Sequence, residues 1–214
     1  MTVEMMVDGK TLQVEENRSV LQACLENDIF IPNLCYMKGM RHPPASCRLC
    51  FVEVEGLQQP VASCTLEVSE GLFIRTDTDA VRRLQKTGLR FLLSVHHVDC
   101  KNCPANKNCE LQRLARFLKV GLKPKHLENY LKEISVDDGH PCLAYHPNRC
   151  VLCGKCIYVC RRHHGQPLLS FAGRGFSTLI SLYGQQGDGI DCSNCAACVD
   201  ICPVAALSLK PSHD

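Results

Sequence analysis

Near its amino terminus the chain alternates, with Val3, Met5 and Val7 on one side of the run Val3 to Val7 and Thr11 to Val14 resuming the pattern after Asp8-Gly9. Period-two patterning split by Asp-Gly predicts an antiparallel hairpin. Ser19 predicts the N-cap of a short helix running to about Asn27, and FVEVEG from Phe51 to Gly56 and LFIR from Leu72 to Arg75 predict further strands. The period then changes. Thr78 to Val95 predicts a helix with Val81, Leu84, Leu92 and Val95 on one apolar stripe and Gly88 as a weak spot inside it. A second amphipathic helix is predicted over Glu110 to Lys119, with Leu111, Leu114, Ala115 and Leu118 inward, ending before Gly121. Lys123 to Pro141 reads as a linker, and Gly173, Gly175, Gly184, Gly187 and Gly189 read as turns.

Composition changes the picture at one residue type. The 214 residues include 17 Cys, several-fold above ordinary usage. The opening MTVEMMVDGK has neither the basic nor the apolar region of a secretion signal, so a disulfide framework is disfavoured. No apolar run approaches the roughly 20 residues of a membrane span, and the expectation is a soluble, cytoplasmic protein without a membrane segment. Lys and Arg total 24 against 22 Asp and Glu, and aromatics are 6%, which argues against a nucleic-acid partner. With so few large apolar rings, part of the folding free energy is expected to come from metal.

The cysteines fall into four groups. Cys35, Cys47, Cys50 and Cys64 are spaced C-x11-C-x2-C-x13-C. Between two leading strands, a helix and later strands, they make a β-grasp order with a metal loop held against the helix. Four thiolates in this pattern suit a [2Fe-2S] cluster, though four cysteines also hold zinc. His96, Cys100, Cys103 and Cys109, spaced H-x3-C-x2-C-x5-C between the two predicted helices, fit a [4Fe-4S] cluster or structural zinc about equally, and His97 rivals His96. Cys150, Cys153, Cys156 and Cys160, then Cys192, Cys195, Cys198 and Cys202, repeat C-x2-C-x2-C-x3-C. That is the two-cluster ferredoxin run, in which the fourth Cys of each run crosses to the other cluster. The assignment is therefore Cys150, Cys153, Cys156 and Cys202 for one [4Fe-4S] cluster and Cys192, Cys195, Cys198 and Cys160 for the second. Arg161 stands where Pro203 follows the other run, which puts loop geometry rather than ligation in question.

Two cysteines remain. Cys24 lies on the apolar stripe of the first helix with Val20, Leu21 and Leu25, where a thiol is a small hydrophobe, and Cys142 beside Pro141 has no assigned role. His42, His163 and His164 read as surface residues. Metallation moves the formal charge from +2 to about −5. The Arg and Lys residues around Lys101 to Lys125 and Arg149 to Arg162 then moderate cluster potentials, dock a partner, or form a solvated face. There is no G-x-G-x-x-G after a strand, no phosphate-binding G-x4-G-K-[ST] loop and no nucleophile elbow, so no catalytic residue is assigned.

The order of these four motifs, over about residues 2 to 209, resembles the N-terminal region of the large iron-sulfur subunit of respiratory complex I and its relatives in NAD-linked hydrogenases and formate dehydrogenases. DCKNCPANKNCELQ, Asp99 to Gln112, is similar to the family's second motif, where the fourth residue before the first Cys is a His ligand; this favours His96 over His97. The resemblance implies one [2Fe-2S] and three [4Fe-4S] clusters. It implies an α+β architecture: a β-grasp [2Fe-2S] domain over 1–78, a helical domain with a His-ligated [4Fe-4S] cluster over 79–135, and a two-cluster ferredoxin domain over 140–210.

Larger relatives continue past this point into catalytic domains, and small diaphorase-type subunits end near here. The expectation is an electron-relay subunit whose partners are a flavin subunit taking NAD(P)H, a thioredoxin-like [2Fe-2S] subunit and a hydrogenase module, with ferredoxin added in complexes that bifurcate electrons. A formate dehydrogenase or an aromatic-thioester reductase is the alternative complex. From a different class come a zinc-stabilised scaffold and a freestanding ferredoxin-like carrier.

Overall fold

The computed structural model describes residues 1–123, 127–134, 136–166, 168–183 and 192–211. Part of the predicted linker, at 124–126 and 135, and the turns expected at Gly184, Gly187 and Gly189 lie outside the described residues. The chain forms two compact units, one of Met1–Phe91 with Arg116–Val120 and one of Leu92–Ala115 with Gly121–Asp214.

In the first unit the alternating segments become β1 (Thr2–Val7) and β2 (Lys10–Glu15), paired antiparallel with Val7 opposite Lys10. Asp8 and Gly9 both take positive φ, 49° and 80°, as a two-residue turn between right-twisted strands requires. The Asp8 carboxylate then accepts the Thr76 amide at 2.8 Å and its hydroxyl at 2.5 Å, tying the turn to the chain just beyond the last strand. Helix α1 (Val20–Glu26) starts where Ser19 Oγ accepts the Gln22 amide at 3.2 Å. Strands β3 (Phe51–Val54), β4 (Val61–Ala62) and β5 (Leu72–Arg75) complete a mixed sheet ordered β2-β1-β5-β3-β4, in which β1 and β5 run parallel. Val3, Met5, Val7, Leu12 and Val14 from the alternating strands bury together with Val20, Leu21 and Cys24 of α1, so Cys24 is a core residue.

Helix α2 (Asp79–Ser94) is capped by Thr78, whose hydroxyl accepts the Val81 amide at 3.2 Å. Its buried face differs from the expected stripe. Val81, Gln85, Leu89 and Leu93 are buried, while Leu84, Leu92 and Val95 are only half-buried. The stripe turns because Gln85, a polar residue, is fully buried and donates from Nε2 to the Phe51 carbonyl at 3.1 Å. Helix α3 (Glu110–Leu118) buries Leu111, Leu114, Ala115 and Leu118, the four positions its period selects.

The second unit holds a 3-10 turn at Cys100–Asn102, then β6 (Leu143–Tyr145), α4 (Lys155–His164), β7 (Leu169–Ala172), a 3-10 turn at Gly175–Ser177, β8 (Leu179–Leu182), α5 (Cys192–Cys195), α6 (Ala197–Asp200) and β9 (Leu207–Leu209). β6 pairs antiparallel with β9, and β7 with β8. The β7–β8 hairpin lies where only turns were expected. Gly173 does make a turn there: at φ 74° it lets the Ser177 carbonyl approach to where a Cβ would meet it at 2.6 Å. The described part of the expected linker is fastened rather than free. Asn148 accepts the Lys132 amide at 2.7 Å and donates to its carbonyl at 3.0 Å, and Asp137 and Tyr145 exchange two backbone bonds of 2.7 Å. Arg161 sits inside α4 and its carbonyl accepts the Gly165 amide at 2.9 Å; a helix that continues past Cys160 has no place there for proline.

Candidate metal centres

None of the 17 cysteines is in a disulfide. In the first unit Cys35, Cys47, Cys50 and Cys64 are buried, and the Cys35 and Cys47 sulfurs lie 3.5 Å apart. The segment around Cys64 is anchored from two sides. Ser63, fully buried, donates its amide (2.9 Å) and hydroxyl (2.7 Å) to the Cys50 carbonyl, and the first amides of α1 donate to the Ser63 and Leu66 carbonyls at 3.0 and 2.8 Å. The loop before Cys50 takes left-handed backbone at Ala45 and Arg48, φ 51° and 53°, conformations that persist only where the surroundings impose them. At Arg48 the surrounding is helix α2: a Cβ on Gly88 would lie 2.4 Å from the Arg48 carbonyl oxygen.

The four thiols act on one another. A hydrogen bond from the Cys47 thiol brings Cys35 down to about 5, and one from Cys64 brings Cys50 down to about 7, while the two donors are pushed up by those same bonds and by burial. Within each pair one thiol is eased toward its thiolate and the other held protonated, in a pocket where further ionisation meets like charge.

In the second unit Cys100 and Cys103 bracket the 3-10 turn, the Cys103 amide donating to the Cys100 carbonyl at 3.3 Å, and Cys109 precedes α3. Burial pushes the Cys109 thiol up, and Cys103 and Cys100 add to it, so the three thiols share one neighbourhood. His96 is half-buried, and its Nδ1 lies 2.9 Å from the Arg149 carbonyl oxygen. A carbonyl only accepts, so Nδ1 carries the proton and Nε2 keeps a lone pair. Burial holds the ring neutral by lowering its pKa. This is the state of a metal-ligating histidine oriented by a backbone carbonyl. His97 is exposed and is tied through its amide, which donates to the Asn148 carbonyl at 2.6 Å.

Cys150, Cys153, Cys156 and Cys202 line one small cavity, walled by Tyr145, Val151, Ile180 and Leu207. Burial first, then repulsion among these four, raises Cys156, and burial pushes Cys153 up to about 12. Backbone amides point at two of the sulfurs: Leu152 donates to Cys150 Sγ at 3.4 Å and Ala206 to Cys202 Sγ at 3.1 Å. Cys198 is likewise pushed up to about 12, by burial first and then by the nearness of Cys160, Cys192 and Cys195. Gly154 and Ala196, the residues that follow the second cysteine of each run, both adopt left-handed backbone, φ 73° and 44°, at the N-caps of α4 and α6. His164, expected at the surface, is half-buried with Nε2 3.4 Å from Cys195 Sγ, because it follows Cys160 by one helical turn on α4.

Among the described residues no three His, Cys, Asp or Glu side chains gather tightly enough to hold a single metal ion. Cys35, Cys47, Cys50, Cys64, Cys109, Cys150, Cys153, Cys156 and Cys160 are buried, and backbone amides are aimed at the sulfurs of Cys150 and Cys202; this donor chemistry fits polynuclear iron-sulfur clusters. No helix among the described residues is long and apolar enough to cross a membrane.

The fold and its thiol groups define an iron-sulfur protein with 2Fe-2S and 4Fe-4S ferredoxin-type domains, and comparison with known proteins agrees. A 2Fe-2S iron-sulfur cluster binding domain matches residues 1–79, the NADH-ubiquinone oxidoreductase-G iron-sulfur binding region matches 85–122, and the ferredoxin-like domain of NADH-quinone oxidoreductase subunit 3 matches 140–208. The chain belongs to the family of complex I large iron-sulfur subunits and their hydrogenase relatives, over the iron-sulfur region of that family.

Similar proteins include the NADPH-Fe(3+) oxidoreductase subunit alpha of Geobacter sulfurreducens, 31% identical over 98% of this chain and 24% of the relative. The NADP-reducing hydrogenase subunit HndD of Solidesulfovibrio fructosivorans is 32% identical over 94% of this chain and 35% of the relative. The chain spans about a quarter to a third of the length of the curated relatives it matches. Among solved structures, a chain of an NAD+-reducing [NiFe]-hydrogenase in the H2-reduced state superposes with a TM-score of 0.83 at 28% identity, over 98% of this chain and 88% of that one.

Proposed function

We propose that the protein is the electron-relay subunit of an NAD(P)-linked hydrogenase complex, working between a flavin subunit that takes NAD(P)H and a hydrogenase catalytic module. The observation that carries this reading is the cavity lined by Cys150, Cys153, Cys156 and Cys202, two segments some fifty residues apart converging on one thiol-walled space. The likeness to a hydrogenase chain over 88% of its length supports hydrogenase over formate dehydrogenase or an aromatic-thioester reductase as the parent complex.

In this reading one [2Fe-2S] cluster is held by Cys35, Cys47, Cys50 and Cys64, and three [4Fe-4S] clusters are held by His96 with Cys100, Cys103 and Cys109, by Cys150, Cys153, Cys156 and Cys202, and by Cys192, Cys195, Cys198 and Cys160. The clusters supply one-electron redox chemistry when bound. The chain's residues hold them, bury them from water, and aim amide donors at their sulfurs. The domains follow as a β-grasp domain over 1–78, supported by the parallel β1–β5 pairing beside α1, a His-ligated cluster domain over 79–135 and a two-cluster domain over 140–210. A thioredoxin-like [2Fe-2S] subunit is a further partner, and ferredoxin joins where the complex bifurcates electrons. The setting is cytoplasmic.

The test is iron and acid-labile sulfide per chain on anaerobically purified protein, with identification of the chains that co-purify. About 14 iron per chain with flavin and hydrogenase subunits in the same peak is the expected result. Stoichiometric zinc with little sulfide would overturn the relay in favour of a scaffold, and full iron without partner chains would favour a freestanding carrier.

A further inference from the structure

Tyr145 is among the largest fully buried side chains, 1% exposed, yet it carries a hydroxyl into a wall that is otherwise mostly aliphatic. Its backbone is fixed three ways, by pairing opposite Leu207 in the β6–β9 sheet and by the two bonds exchanged with Asp137. Its hydroxyl oxygen accepts the amide of Ile180, on β8, at 3.2 Å. An oxygen that accepts from Ile180 directs its own proton elsewhere, and the cavity that Tyr145 lines offers it the sulfurs of Cys150, Cys153, Cys156 and Cys202, of which Cys150 is the one it influences electrostatically. The electrostatics run the same way. Burial pushes the Cys150 thiol up and the Tyr145 hydroxyl pulls it back; burial, then the charge on Cys150, pushes the Tyr145 hydroxyl up, so it stays protonated.

We propose that Tyr145, oriented by the Ile180 amide of the β7–β8 hairpin, donates a hydrogen bond to the Cys150 thiolate and thereby raises the reduction potential of the [4Fe-4S] cluster held by Cys150, Cys153, Cys156 and Cys202. The inference rests on the relay reading above. One-electron reduction adds negative charge that is shared onto the cluster's thiolates. A donor aimed at one of them stabilises the reduced state more than the oxidised state, and in a dry, low-dielectric pocket the difference is larger than in water. No proton leaves the tyrosine in either state. The residue acts through Cys150 and is a positioning residue. The hairpin inserted between the two cysteine runs thereby gains a role, since it supplies the amide that fixes the direction of the hydroxyl.

The test is an EPR-monitored redox titration of the anaerobically purified full chain, in its complex where one is retained, after iron and sulfide have been counted. Wild-type protein is measured first: absence of four-iron clusters there would sink the relay reading itself, separately from the role of Tyr145. In Tyr145→Phe, which keeps the ring and removes the donor, one [4Fe-4S] midpoint is expected to fall by the equivalent of a roughly threefold to tenfold weaker one-electron reduction, about 28 to 59 mV at 59 mV per tenfold. The other midpoints stay in place. Full iron content with every midpoint at its wild-type value overturns the proposal. Replacement of Tyr145 by 3-fluorotyrosine, a stronger donor of nearly the same size, is expected to raise the same midpoint. Should Tyr145→Phe fail to retain its iron, that second variant decides alone, and an unmoved midpoint in it refutes the proposal.

Discussion

Gly88 of α2 lies directly against the backbone of Arg48, so close that a methyl group on Gly88 would stand 2.4 Å from the Arg48 carbonyl oxygen and 3.5 Å from that of Cys47. The helix and the cysteine loop are therefore in contact through main chain, and the loop's left-handed Arg48 is held by that contact. Gly88→Ala sets two effects against each other. Alanine improves helix propensity by about 1 kcal/mol, and a forced displacement of packed backbone costs about 1 to 3 kcal/mol. With no flexible side chain to give way, the second wins. The expected outcome is a net loss of up to about 2 kcal/mol in urea unfolding, with a weakened visible circular-dichroism signal from the [2Fe-2S] site. Gly121→Ala, where nothing lies within 4 Å, is the control and should be near neutral.

His96 and His97 differ in what their rings are given to do. The His96 ring is oriented by the Arg149 carbonyl with Nε2 bare, whereas His97 is exposed and contributes its backbone amide. His96→Ala is expected to lose about four iron per chain, and His97→Ala to keep the full complement. His96→Cys should restore iron with a lower potential at that cluster, because a thiolate charge replaces a neutral ring. Equal iron loss in both alanine variants would remove the basis for choosing His96.

The two cysteines outside the four groups make a third comparison. Cys24 is fully buried in the core of the first unit, and burial pushes its thiol up to about 12, so it is a hydrophobe rather than a thiolate. Cys24→Ala should keep every iron and cost about 1 kcal/mol of stability. In the native protein Cys24 should resist alkylation at pH 8. Cys160→Ala, by contrast, should strip about four iron if it completes the cluster proposed for Cys192, Cys195 and Cys198, more than thirty residues away in sequence.

How far the sequence could be read follows from these cases. The β1–β2 hairpin, the Ser19 cap and the buried face of α3 were legible because each rests on local chemistry: a turn that needs positive φ, a hydroxyl that accepts an amide, a period of apolar residues. The face of α2 was not, because its centre is Gln85, a residue buried only once the Phe51 carbonyl is there to receive it, and Gly88, whose value depends on a loop forty residues earlier. The β7–β8 hairpin was hidden by its glycines, although LLSFA and STLISL on either side carry strand composition. Cysteine spacing singles out candidate ligands. The groups that face those cysteines, Tyr145 and His164, have no spacing to announce them and become visible only when chain segments meet.

Removing iron should affect the two units differently. In the second unit β6 and β9 are three residues each and α5 and α6 four each, lengths that do not persist without tertiary support. Metal at the two thiol groups would join the α4 segment to the segment of α5 and α6 twice over, which is the support these short elements need. The first unit has its own core of β1, β2, β5 and α1.

Chelation is therefore expected to abolish amide-exchange protection in α4, α6, β6 and β9 while most protection in β1 and β2 persists. Reassembly should follow pH with a definite sign. Cys153 and Cys198 are pushed up to about 12, so they are protonated at neutral pH, and cluster formation must release those protons. Incorporation into the second unit should strengthen as pH rises from 6 to 8, with proton release measurable in weakly buffered solution. Unchanged protection after complete iron removal would show that the second unit stands on protein contacts alone.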